Sequence, residues 1–175
     1  MDSLRYPTGT FQPKGAPLTP EERSPLITRI GALPREARAA VKGLTDAQLD
    51  TAYREGGWSP RQLTHHLADS HLNAFVRFKL ALTEDAPAIK TYEQERWAVL
   101  ADVRGVPVEA SLSILDGLHE RWSRILAAMT PQDFARRLRH PEIGEIDLDF
   151  LLQMYGWHGR HHVTQITELR ARRGW

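Results

Sequence analysis

The chain has 175 residues, a length that suits one domain, and sets 23 lysines and arginines against 22 aspartates and glutamates. That near-neutrality excludes nucleic acid as the main partner, because phosphate binding needs a concentrated basic surface. Cysteine is absent, which excludes disulfides, thiolate metal sites and a cysteine nucleophile.

Residues 1–18 contain Pro7, Gly9, Pro13, Gly15 and Pro17 and read as an irregular arm. Leu4, Tyr6 and Phe11 give this arm apolar groups with which to pack on the body. Its start, Met1-Asp2-Ser3-Leu4-Arg5-Tyr6-Pro7, lacks the apolar core of a secretion signal. No later stretch is long and apolar enough to span a bilayer, so no membrane partner is expected and a cytoplasmic location is.

Thr19-Pro20-Glu21-Glu22 offers a capping threonine, a proline at the first helical position and a glutamate three residues after the cap, which predicts a helix over 20–43. Pro34 should interrupt it, since proline removes a backbone bond inside a helix. Thr45-Asp46-Ala47-Gln48 caps a short helix. Ser59-Pro60-Arg61-Gln62 opens a second long helix over 59–83. A shorter piece around 92–101 includes Trp97, and a third long helix spans 107–129. After Thr130-Pro131-Gln132-Asp133, residues 136–147 read as a loop or small hairpin. A fourth long helix, capped by Asp147 or Asp149, runs over 148–172. The expected fold is all-α, one four-helix-bundle domain over 1–175.

Without sulfur ligands, any transition-metal site must be built from the eight histidines, with or without carboxylates. On a 3.6-residue period, Leu151, Tyr155, His158, His162, Ile166 and Leu169 form one stripe, with Met154 and Gln165 beside it. His158 and His162 thus stand in the middle of a core-facing surface, about 6 Å apart along the axis, where both imidazoles reach one ion. Gly156 and Gly159 thin the adjoining surface so that another element can approach closely. Two buried imidazoles each need polar partners, and a shared cation supplies them. His161 is the nearest competitor as a ligand.

A third ligand should come from the second long helix. There Gln62, His66, Asp69, Ser70, Asn73 and Arg77 form a polar stripe between apolar flanks, Leu63, Leu67, Ala74 and Phe78 on one side and Leu72, Val76 and Leu80 on the other. The opposite strip, with Arg61, His65, His71 and Lys79, reads as the solvated face, and His65 or His71 could instead bond a ligand from outside the coordination sphere. His66 is therefore selected as the third ligand, and His119 and His140 as structural or exposed.

Several segments carry a resemblance: Leu4-Arg5-Tyr6-Pro7, Tyr53-Arg54-Glu55-Gly56-Gly57-Trp58-Ser59, His65-His66-Leu67-Ala68-Asp69-Ser70-His71, Arg77-Phe78-Lys79-Leu80-Ala81-Leu82-Thr83-Glu84-Asp85 and Trp157-His158-Gly159-Arg160-His161-His162. Together they resemble the DinB superfamily, in particular its YfiT-like branch, over almost the whole chain. That resemblance implies a four-helix bundle holding one divalent metal, zinc or nickel, on three histidines. The first ligand lies eight residues after the tryptophan, which is His66, and the others open and close the H-x-x-x-H, His158 and His162. Members of the branch are labelled metal-dependent hydrolases, and relatives are linked to the transfer of low-molecular-weight thiols such as bacillithiol onto electrophiles. The family name refers to induction by DNA damage and implies no contact with DNA.

Three neutral histidines leave a coordination position open, the pattern of catalytic rather than structural sites. Such a site activates water for hydrolysis or a small thiol for transfer to an electrophile. A non-catalytic binding module stabilised by its metal is the alternative. Asp69, one turn from His66, and Tyr155, near His158, are the candidate general bases, and Asp69 could instead orient a ligand. Trp97, with Tyr92 and Glu93, is expected either over the open side of the metal or in the core. Exposed apolar helix faces suit a homodimer.

Overall fold

A computed structural model describes residues 3–175, so the first two residues of the arm, and that part of the leader reading, lie outside the described residues. The elements in order are α1 (Pro20–Val41), α2 (Asp46–Leu49), α3 (Pro60–Thr83), α4 (Gln94–Trp97), α5 (Ala101–Gly105), α6 (Val108–Ala128), α7 (Pro131–Phe134), β1 (Arg137–His140), β2 (Gly144–Asp147) and α8 (Leu148–Arg173). Among the described residues no helix is long and apolar enough to cross a membrane.

Helix starts follow the capping grammar. Thr19, Thr45, Ser59 and Thr130 each accept a bond from the backbone three residues on, and the side chain there returns one to the cap. Asp147, rather than Asp149, caps α8 by accepting from the Phe150 amide at 2.8 Å. Asp149 is used elsewhere, in a buried pair with Arg23 of α1 at 2.7 Å. The segment before α8 is an antiparallel hairpin, with Leu138 opposite Ile146.

The expected break at Pro34 does not occur, and α1 runs through both Pro25 and Pro34. Pro34 leaves the Ile30 carbonyl without its helical donor. His119 of α6 supplies one instead, its Nδ1 donating to Ile30 O at 2.6 Å. The neighbouring helix thus offsets the proline's cost, and His119 takes a structural role.

α1 packs against α6 and α8, and α3 packs against the same two, so consecutive long helices α1 and α3 stand diagonally opposite. The crossover from α1 makes α3 and α8 neighbours. They run antiparallel, since His66 meets His158 and Arg77 meets Tyr155. α1 and α8 come close because of two glycines: a Cβ on Gly156 would lie 3.0 Å from Leu26 Cδ2, and one on Gly159 would lie 2.8 Å from Leu33 Cδ2.

The core divides into two apolar clusters. One contains Ile30, Ala74, Leu118, Trp122 and Tyr155; the other contains Leu33, Leu67, Leu115 and Ile166. Each long helix changes cluster at one level. That level is where the histidines lie.

Candidate metal centre

His66 is buried on α3, while His158 and His162 are half-buried on α8. One ring nitrogen from each comes within 4.8 Å of the others, and His66 Nε2 stands 3.2 Å from His158 Nε2. Ring centroids are 5.2 Å apart for His66 and His158, 4.9 Å for His66 and His162, and 4.5 Å for His158 and His162. The three residues selected from helix phase and resemblance are therefore brought together.

The donor set fits a divalent ion. Two nitrogens each about 2.0–2.1 Å from a tetrahedral ion stand roughly 3.3 Å apart, close to the separation found. Burial holds the His66 ring at a pKa of about 4 and drives His158 and His162 well below the usual imidazole range, with the neighbouring histidines lowering both further. All three rings are thus neutral near pH 7, the form that ligates metals. His162 Nδ1 lies 2.8 Å from Gln165 Oε1, which can only accept, so the proton sits on Nδ1 and Nε2 carries the lone pair. His158 Nδ1 lies 3.3 Å from His71 Nε2, and donation to His71 leaves His158 Nε2 bare in the same way.

His65 and His71 are not solvated. They are 5% and 0% exposed, while Leu72 and Val76, read as a packed flank, are 46% and 47% exposed. The cause is that α3 is covered by α6 as well as by α8. His65 Nδ1 meets Ser111 Oγ at 2.7 Å, and His71 lies between His158 and the His119 ring, stacked at 5.0 Å. Arg61 is also drawn in, bonding Asp46 and Asp50. Polar partners on neighbouring elements allow these side chains to be buried, and helix phase alone does not reveal such partners. His161 stacks on Trp157 at 4.5 Å and stays outside the triad.

The triad forms the floor of a cavity of about 250 Å³. Its walls include Arg5 and Tyr6 of the arm, Tyr53, Arg54 and Trp58 of the loop before α3, and Gln94 and Glu95. Trp58 sits edge-on to His66 at 4.7 Å, and its Nε1 donates to Glu95 Oε2 at 2.9 Å. Trp97 neither covers the triad nor enters the core: it packs on Tyr92 at 4.5 Å and is 39% exposed. From that segment it is Gln94 and Glu95 that reach the cavity.

Neither Asp69 nor Tyr155 lines the cavity. Burial, with Asp102 nearby, pushes the Asp69 carboxyl up to about 6. The buried Tyr155 hydroxyl accepts from Arg77 Nη1 at 3.5 Å, and its ring meets His71 edge-on at 5.1 Å. Glu95 is the acidic side chain among the described lining residues, and nothing in the spacing of the α4 segment marks it. Gln165 does carry a signal, standing three residues after His162 on the same helix face.

Comparison with known proteins gives a consistent picture. The family model described as the DinB superfamily matches residues 29–166. A Bacillus cereus (strain B4264) protein named "Putative metal-dependent hydrolase" is 48% identical over all 175 residues, covering 100% of both chains. A Bacillus mycoides (strain KBAB4) protein of the same description is 47% identical, again over 100% of both. Among solved structures, YfiT from Bacillus subtilis, described as a probable metal-dependent hydrolase with an unusual four-helix bundle topology, superposes with a TM-score of 0.95 at 42% identity, covering 99% of each chain. TT2238, a four-helix bundle protein, aligns with a TM-score of 0.55 at 21% identity over 87% of this chain and 99% of that one, a likeness of fold.

Proposed function

The chain belongs to the DinB superfamily, and from that premise we propose that it is a metal-dependent hydrolase of small molecules, its ion held by His66, His158 and His162. The observation that carries this reading is the convergence of three neutral imidazoles, within 4.8 Å, on the floor of an accessible cavity. When bound there, a divalent ion with an open position acts as a Lewis acid and lowers the pKa of a water or thiol that reaches it. Zinc suits the all-nitrogen donor set, and nickel is the second choice.

The protein's own groups supply the rest. Glu95, fixed by Trp58 Nε1, holds its carboxylate on the cavity wall, where it accepts a proton from a nucleophile bound inside. Arg5 and Arg54 give that wall positive charge, and Trp58 and Trp157 give it flat apolar faces. A volume of about 250 Å³ restricts the substrate to a small molecule. Tyr155, bonded by Arg77 and edge-on to His71, links α8 to α3 away from the cavity, and Asp69 lies outside the cavity lining.

A second reading, transfer of a low-molecular-weight thiol onto an electrophile, is favoured by one observation. The chain has no cysteine, so any thiolate at this site comes from a substrate.

The test is the metal content of the purified protein, followed by turnover of ester and amide panels and of 1-chloro-2,4-dinitrobenzene with several thiols. Hydrolysis without thiol, abolished by chelation, is the expected result. Turnover only with thiol moves the assignment to transfer. One tightly held ion with silence across both panels leaves a metal-stabilised binding module.

A further inference from the structure

The arm lies along α8 and is tied to it repeatedly. Trp157 Nε1 donates to Gly9 O at 3.2 Å, His161 Nδ1 meets Thr8 Oγ1 at 3.4 Å, and Gln165 Nε2 donates to Arg5 O at 2.9 Å. Of these ties, the last also touches a candidate metal ligand. Gln165 is buried, 3% exposed, and each end of its amide has a defined partner. Arg5 O can only accept, so the NH₂ group faces the arm, with His161 Nε2 at 3.1 Å as a further acceptor. The carbonyl end is then the one that receives His162 Nδ1 at 2.8 Å.

We propose that Gln165 is a positioning residue that locks His162 in its metal-binding tautomer and couples metal occupancy to the seating of arm residues 5–9. The inference rests on the metal reading of the triad. Its physical basis is a chain of polarised bonds. A cation on His162 Nε2 draws electron density from the ring and makes Nδ1–H a stronger donor to Gln165 Oε1. The amide, held more firmly at one end, presents its NH₂ group to Arg5 O at the other. Arg5 and Tyr6 are cavity walls, so the cavity is complete when the ion is in place. Linkage makes the effect reciprocal: whatever frees the arm also weakens metal binding.

The experiment uses full-length protein and zinc as the probe. Zinc affinity is measured by competition with a chromophoric chelator, and amide hydrogen exchange of residues 5–10 is measured with and without zinc. In the wild type, zinc should slow exchange in the arm by at least about fivefold. Gln165→Leu removes all three contacts of the amide, and its zinc affinity should fall about 10- to 100-fold while the arm exchanges fast with or without zinc. Gln165→Glu keeps the acceptor for His162 but cannot donate to Arg5 O. Its carboxylate is the stronger acceptor for His162 Nδ1 and offsets the loss of the arm's contribution, so zinc should bind within about threefold of the wild type or tighter, with an arm that no longer responds.

Wild-type zinc affinity in Gln165→Leu overturns the positioning role. A zinc-responsive arm in Gln165→Glu overturns the coupling, and that variant decides alone if the leucine variant fails to fold. A wild type that binds zinc without slowing the arm defeats this inference only, whereas a wild type that binds no divalent ion defeats the metal reading itself.

Discussion

His66, His158 and His162 each present one nitrogen to a common point, and their contributions differ from those of ordinary buried histidines. Replacing His158 by alanine removes a direct ligand. Since outer partners alone are worth 10- to 100-fold in affinity, the loss should exceed roughly 100-fold in zinc binding, read by chelator competition with the fold checked by circular dichroism. Retention of stoichiometric zinc in His158→Ala would sink the assignment. Glu95→Gln keeps the bond from Trp58 Nε1 but cannot take a proton, so kcat should fall about 100-fold with little change in KM. A change confined to KM would mean that Glu95 only binds. The triad is legible in the chain because phase and resemblance both act along single helices. Glu95, Arg5 and Tyr6 have no such periodic signature: Glu95 reaches the cavity from the short helix α4, held by Trp58, and Arg5 and Tyr6 reach it from the arm, whose course depends on contacts with α8 that no local pattern encodes.

At the scale of elements, the joint between α1 and α8 carries two testable features. Arg23 and Asp149 are 6% and 1% exposed at the side chain, and Asp149 Oδ2 also accepts from the Leu18 amide at 2.9 Å. Asp149→Ala strands a buried guanidinium and frees the end of the arm, and should cost about 3–5 kcal/mol in urea unfolding. Gly159→Val would force two methyl groups toward Leu33, which is 2% exposed and stands only 2.8 Å from the place a Cβ would take. Overpacking of about 1–3 kcal/mol outweighs the roughly 0.5 kcal/mol by which valine is the better helix former, so the variant should be less stable. The glycines' role in close approach can be read from their spacing beside the histidine stripe. That of Asp149 cannot, because capping and ion pairing draw on the same residue type and only the position of Arg23 decides between them. Pro34 misleads for a related reason: its local penalty is real, and the relief comes from His119, distant in the chain and adjacent only after folding.

The whole molecule places an unusual number of neutral imidazoles inside, and this sets its response to acid. Burial lowers His66, His119 and His161 to about 4, and takes His71, His158 and His162 well below the usual range. In the unfolded chain the same rings titrate near 6.5. Between those limits the unfolded state binds more protons, so stability is complete above about pH 6.5 and falls as the pH drops toward 4. Asp69, raised to about 6, acts in the opposite direction, since its folded form takes up a proton first. Six groups against one decide the sign. At pH 5 His66, His119 and His161, held at about 4, each favour unfolding by about 2 kcal/mol, and together they rival the lower end of the 5–15 kcal/mol that stabilises a typical domain. Metal-free protein should therefore lose its helical circular dichroism with a midpoint near pH 5. Zinc, binding the folded state and competing with protons for the triad, should move that midpoint to lower pH. A metal-free chain whose thermal midpoint at pH 4.5 equals that at pH 7 would show that these rings are not held neutral in the core, and the histidine layer between the two apolar clusters would need a different physical account.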